Sequence, residues 1–145
     1  MSKITVNGSA LKARELTGRR LMLRHSGFAA IPVNGKAPVM NRWQHKLDMT
    51  VEEIKHWERE FPQATNTGML TRDTPTLDID ILDKDAAVAV EQLARQRFNS
   101  PLLRIGRPPK RAILFRTDAP FPKIKVNLIA PDGSMGQKLE LLGDN

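Results

Sequence analysis

Thr76-Leu77-Asp78-Ile79-Asp80-Ile81-Leu82-Asp83 alternates apolar and acidic residues with a period of two, the pattern of a half-buried β-strand. Side chains two apart on a strand share a face, so Leu77, Ile79 and Ile81 point one way and Asp78 and Asp80 the other. The Cα atoms of the two aspartates then lie about 6–7 Å apart. Carboxylates at that separation on a rigid strand can share one hard cation or a pair of them. Mg²⁺, Mn²⁺ and Ca²⁺ all prefer such oxygen ligands. The competing reading is the solvated face of an edge strand, where aspartates discourage edge-to-edge pairing. The pattern alone leaves both open.

Charge is unevenly distributed around this strand. Asp73, Asp78, Asp80, Asp83, Asp85 and Glu91 make an acidic block. A basic run follows: Arg95, Arg97, Arg104, Arg107, Lys110, Arg111, Arg116, Lys123 and Lys125, opposed only by Asp118. An acidic centre beside a basic apron suits a place where metal ions meet phosphates. Over all 145 residues, 23 Lys+Arg against 16 Asp+Glu give a formal net charge of +7, with a pI near 10.1. That balance favours a polyanionic partner, nucleic acid before an anionic membrane surface. The absence of cysteine removes disulfides, thiolate zinc sites and cysteine nucleophiles together. No apolar run approaches the ~18 residues of a membrane span, and the N-terminus has no signal-peptide core. The expectation is a soluble, cytoplasmic protein of one domain, since two full domains would be crowded at this length.

Upstream of the acidic strand, Met1–Gly8 lack periodicity and are expected to form a loose arm or short leading strand. Ser9 is placed to cap a helix over residues 10–26 that Gly27 ends. Leu11, Leu16, Leu21 and Leu23 form its apolar stripe, and Lys12, Arg14, Arg19, Arg20 and Arg24 its outer face, either solvated or set against DNA phosphates. Residues 28–33 read as a strand with an edge or terminal proline, and Asn34-Gly35 as a turn. Thr50-Val51-Glu52-Glu53 is a capping box opening a helix with Ile54, Trp57 and Phe61 facing a core. Residues 67–71 make the strand before the acidic one.

Downstream, Asp83 or Asp85 caps a helix to about Arg97, with Ala86, Val90, Leu93 and Ala94 inward. Strands follow over residues 102–105, 111–116 and 123–129, then a turn at Pro131-Asp132-Gly133-Ser134. A last alternating strand over 136–142 puts Leu139 and Leu141 on one face and Lys138 and Glu140 on the other. Helices alternate with strands early and strands dominate later. This argues for an α+β fold, a mixed or antiparallel sheet with flanking helices. His25, His45 and His56 have no partner spacing that would support a catalytic triad.

Several pieces occur in a telling order: Gly27-Phe28, Ile31-Pro32-Val33, Gly35-Lys36-Ala37-Pro38, Trp43, a helix with Trp57, and Pro62 to Gly68 with its Asn66. Asp78-x-Asp80 follows, and Glu140 sits in a later strand. From Arg20 to Asn145 this resembles the primase–polymerase (Prim-Pol) branch of the archaeo-eukaryotic primase superfamily. The resemblance implies a primase-like sheet and a phage- or plasmid-type replication enzyme performing template-directed nucleotidyl transfer with Mg²⁺ or Mn²⁺. It implies Asp78, Asp80 and Glu140 as catalytic metal ligands, and Lys36, Arg104, Lys110 and Arg111 as nucleotide contacts. DNA template and nucleoside triphosphates are the implied partners, with a helicase-type ATPase often in the same chain. Because relatives continue past the third acidic position, the sequence is expected to be part of a longer catalytic domain. One motif departs: where the family has a histidine before the strand ending in an aromatic residue, this chain has Gly106-Arg107-Pro108-Pro109-Lys110. Cations there can bind phosphate but cannot act as a neutral base. A catalytically degenerate DNA- or nucleotide-binding module is therefore one alternative, and a metal-dependent nuclease is another, since acidic clusters on strands also serve phosphodiester hydrolysis.

Overall fold

The computed structural model describes residues 8–99 and 102–144. The leading arm expected over Met1–Gly8 lies outside them except for Gly8, which begins the first helix. The chain divides into two compact units, Met1–Leu70 and Thr71–Asn145.

The first unit contains α1 (Gly8–His25), β1 (Ala30–Asn34), β2 (Ala37–Pro38), a 3₁₀ turn (Trp43–His45), α2 (Val51–Glu60) and β3 (Asn66–Met69). Gly27, at φ +81°, lets α1 stop abruptly. The Phe28 amide donates to the Leu23 carbonyl at 2.9 Å and the Gly27 amide to the Arg24 carbonyl at 2.9 Å, a Schellman end that requires a left-handed residue. The capping box forms as expected: Glu53 N–H donates to Thr50 Oγ1 at 3.1 Å, and Thr50 N–H to Glu53 Oε2 at 2.8 Å. This fixes the phase of α2, so Ile54 and Trp57 are buried with Met49 against Leu21, Met40 and Phe61.

Several expectations change in this unit: Ser9 lies inside α1 rather than capping it, and Leu11, expected in the apolar stripe, is 53% exposed. Arg20 does not lie on the outer face of α1; only 2% of it is exposed, and its Nη2 donates to the Asn66 carbonyl at 3.0 Å. It shares its helix face with Leu16 and Thr17, three to four residues away, as helical spacing requires. Pro32 lies not in an edge strand but in β1, the central strand of the antiparallel sheet β2-β1-β3. Its carbonyl accepts from Val39 on the β2 side, so the missing N–H also faces that side. The β2 ladder itself reaches only Val33↔Pro38, so the proline sits where this short edge pairing runs out.

The second unit contains β4 (Thr76–Asp80), α3 (Lys84–Phe98), β5 (Leu103–Ile105), β6 (Arg111–Leu114), β7 (Ile124–Leu128) and β8 (Gln137–Leu142). Its strands form one antiparallel sheet in the order β5-β6-β4-β8-β7. The acidic strand is thus central, not an edge. Asp83 caps α3, its Oδ1 accepting from Ala86 N–H at 2.7 Å. The helix covers one face of the sheet, where Leu77, Ile79, Ile81 and Ile113 are buried with Ala87 and Ala94, and Val90 packs against them. Ala87, Val90 and Ala94 form the inward stripe; Leu93, expected inward, is 55% exposed, and Ala86 is also exposed. Small alanines at the contact let the helix lie close to branched side chains on the sheet. Phe98 at the end of α3 stacks on Phe115, with ring centroids 4.5 Å apart. The two units carry α+β structure with antiparallel sheets throughout, as the sequence pattern predicted.

Candidate active site

On the face of the five-stranded sheet opposite α3, one row of residues runs across every strand. Arg104 on β5 stands opposite Ala112 on β6, Ala112 opposite Asp78 on β4, Asp78 opposite Glu140 on β8, and Glu140 opposite Lys125 on β7. Residues directly paired across an antiparallel ladder point to the same face, with Cα atoms about 4.5–5.5 Å apart. Two residues along β4, Asp80 pairs with Lys138 on that same face. The alternation that buries Leu77 and Ile79 beneath α3 therefore also delivers Asp78, Asp80 and Glu140 to one surface.

Cations surround these acids. Lys110 Nζ lies 2.6 Å from Asp80 Oδ1. Glu140 has a lysine on each oxygen, Lys123 at 2.8 Å from Oε1 and Lys138 at 2.9 Å from Oε2. Those two hydrogen bonds, first Lys123 and then Lys138, hold the Glu140 carboxyl below its ordinary range although it is only 6% exposed. Glu140 in turn raises the Lys138 ammonium. Asp78 shifts the opposite way. Burial pushes its carboxyl up, the neighbouring charges of Asp80 and Glu140 add to this, and Lys138 and Arg104 only partly oppose it. Among the described residues no ion-pair partner reaches Asp78.

The nucleotide contacts expected from sequence separate into three groups. Arg104 and Lys110 are on the acidic face or bonded to it. Arg111 is not. It pairs with Ile79, so its side chain passes to the helix-covered face, where its guanidinium pairs with Glu91 of α3 and donates to the Pro109 carbonyl at 2.9 Å. Lys36 is exposed in the hairpin between β1 and β2, after Gly35 at φ +59°, within the first unit. The residues that sequence reasoning did not assign are Lys123, Lys125 and Lys138. A signal for one of them was present: a hairpin centred on Asp132-Gly133 sets Lys125 and Glu140 equally far from the turn, and hence opposite each other.

Residues 20–145 match the family described as Bifunctional DNA primase/polymerase, N-terminal. The chain belongs to the Prim-Pol family. No curated protein sequence matches it. Membership gives this Prim-Pol chain a primase/polymerase-type function in DNA replication, with DNA and nucleotides as substrates. No helix among the described residues is long and apolar enough to cross a membrane.

Domains of the family are typically metal-dependent, and the donor chemistry fits. Asp78, Asp80 and Glu140 are an all-oxygen, anionic set on one rigid surface, which suits a hard divalent cation. Burial and then the like charges of Asp80 and Glu140 raise the Asp78 carboxyl, and a cation would relieve the like-charge part. The oxygens are not gathered into a finished cage: among the described residues no three acidic or imidazole side chains converge at ligand spacing. Asp80 and Glu140 are turned to their lysines instead.

Proposed function

We propose that this Prim-Pol chain carries out template-directed nucleotidyl transfer, with Asp78, Asp80 and Glu140 as the ligands of Mg²⁺ or Mn²⁺. The observation that supports this most is the direct cross-strand pairing of Asp78 with Glu140 beside Asp80. When bound, the divalent ions supply neutralisation of triphosphate charge and activation of the attacking hydroxyl. The chain's own residues position and balance charge. Arg104 offers a planar fork that suits two phosphate oxygens at once. Lys110, Lys123, Lys125 and Lys138 line the acidic face with ammonium donors for phosphate. Lys36, in the Gly-Lys-x-Pro hairpin, is a further phosphate contact, and the exposed basic side chains of α1 track the template backbone. The setting is replication of phage or plasmid type, in the cytoplasm, beside a helicase-type ATPase that opens duplex DNA.

One observation favours a second reading, a module that binds DNA and nucleotide without synthesis. The family's histidine is replaced by a turn whose Lys110 caps Asp80, so the chain lacks a neutral base there. Primer extension separates the two. With primed DNA, nucleoside triphosphates and Mn²⁺, the protein is expected to extend the primer, and Asp78→Asn and Asp80→Asn to lose about 10²-fold or more in rate. DNA binding with no metal-dependent extension selects the binding module. Extension unchanged in both variants removes the metal site.

A further inference from the structure

The three acids of the site are held differently. Asp78 has no ion-pair partner among the described residues, whereas Asp80 is closed by Lys110 and both oxygens of Glu140 are closed by Lys123 and Lys138. Three ammoniums thus balance three carboxylates, before Arg104 and Lys125 on the same row add further positive charge. A divalent cation approaching this cluster gains little net attraction, because two of the three carboxylates it seeks, Asp80 and Glu140, have ammoniums within hydrogen-bond distance. To coordinate the buried Glu140 it must turn at least one lysine away; Lys123 and Lys138 are 43% and 31% exposed, so water can receive the ammonium, and an anion beside it holds it away more firmly. A triphosphate provides that anion: its oxygens take up the ammoniums while the carboxylates turn to the metal.

We propose that Lys110, Lys123 and Lys138 form a cation latch that makes divalent metal and nucleoside triphosphate bind together. Metal alone binds weakly, nucleotide strengthens it, and by linkage the metal strengthens nucleotide by the same factor. The inference rests on the metal–nucleotide reading above and adds to it an order of assembly. It also gives the lysines two partners in turn, carboxylate before substrate and phosphate after.

The test is a titration of the protein with Mn²⁺, reading the free ion by its electron paramagnetic resonance signal. It is run alone and with a non-hydrolysable deoxynucleoside triphosphate, whose own Mn²⁺ affinity is measured without protein. The wild type is expected to bind Mn²⁺ about tenfold or more tightly when the triphosphate is present. In Lys123→Met/Lys138→Met, Mn²⁺ alone should bind about tenfold more tightly than to wild type, while triphosphate binds more weakly, so the coupling collapses. Lys110→Met is the second variant: its side chain is 42% exposed and it leaves Glu140 paired. It should move both affinities in the same directions by a smaller factor. Opposite signs in the two arms are decisive, because lysines that only supported the fold would weaken both. Mn²⁺ affinity unchanged by the lysine variants, or coupling as large in the double variant as in wild type, overturns the latch and leaves the metal site standing. No Mn²⁺ binding to wild type under either condition overturns the metal–nucleotide reading itself, and the latch with it.

Discussion

Asp78 and Glu140 face each other across neighbouring antiparallel strands, yet one carboxyl is pushed up in pKa and the other held down. Burial and like charge act on Asp78, and two lysines act on Glu140. Their contributions to stability therefore have opposite signs. A carboxyl raised in the folded state costs stability as pH rises from the ordinary aspartate value of 3.8 through its raised value. A carboxyl lowered in the folded state contributes stability that is complete above 4.5 and lost as pH falls through its lowered value. At pH 7 Asp78→Asn should be more stable than wild type by about 1 kcal/mol. Glu140→Gln should be less stable by about 1–2 kcal/mol. Both differences should shrink in acid, as urea unfolding between pH 3 and 8 would show. Shifts of the same sign in the two variants would contradict the assignment.

Gly143 follows β8 where the backbone of Phe121 comes close. A Cβ at Gly143 would sit 2.1 Å from the Phe121 carbonyl oxygen, which accepts from Asp144 N–H at 2.7 Å. Neither backbone is free to yield, so Gly143→Ala should cost about 2–3 kcal/mol in unfolding free energy. Gly106→Ala, with nothing within 4 Å of its Cβ, should stay within about 0.5 kcal/mol of wild type. Equal effects would show that the close approach is not real.

The two arginines flanking the basic turn should differ in kind. Arg104 stands on the acidic row and Arg111 on the opposite face, paired with Glu91. Arg104→Ala should weaken triphosphate binding about tenfold while leaving the melting temperature nearly unchanged. Arg111→Met should leave nucleotide affinity unchanged and lower stability by about 1–2 kcal/mol, because Glu91 loses a partner in a partly buried setting. Fluorescent-nucleotide titration and thermal melts would separate them. The reverse pattern would mean that the face assignment is inverted.

On α1, Arg19 is exposed and Arg20 is buried. Salt-dependent DNA binding should record this, since each phosphate contact adds about 0.9 to the slope of log K against log salt. Arg19→Ala should reduce the slope by up to about one contact, and Arg20→Ala should not change it. Arg20→Ala should instead destabilise the protein by about 2 kcal/mol through lost stem packing and the lost bond to Asn66. A slope change in Arg20→Ala alone would place DNA on the wrong side of the helix.

Much of this architecture was legible because local chemistry governed it. The Thr50–Glu53 capping box, the Gly27 helix end and the Asp83 cap each depend on residues within a few positions of one another. The two-residue period placed Asp78 with Asp80, and Lys138 with Glu140, before any pairing was known. It could not show that β4 lies between β6 and β8, because nothing local sets that pairing: the partners are 32–38 residues apart for β6 and 58–66 for β8. Glu140 came into the site by resemblance, and the ladder register now gives it a position. The same limit concealed Arg111, which differs from Lys110 by one position and so by one face. Arg20 was unreadable for a different reason. Composition marks arginine as a surface residue, and only the carbonyl of Asn66, far along the chain, explains its burial.

The central claim is that Asp78, Asp80 and Glu140 together hold the metal that meets the nucleotide. A crystal of the protein grown with Mn²⁺ and a non-hydrolysable nucleoside triphosphate, measured at a wavelength where manganese scatters anomalously, tests it most directly. The prediction is an anomalous peak about 2.0–2.4 Å from oxygens of all three side chains and of the triphosphate. A triphosphate bound with its manganese away from that face of the sheet would contradict it.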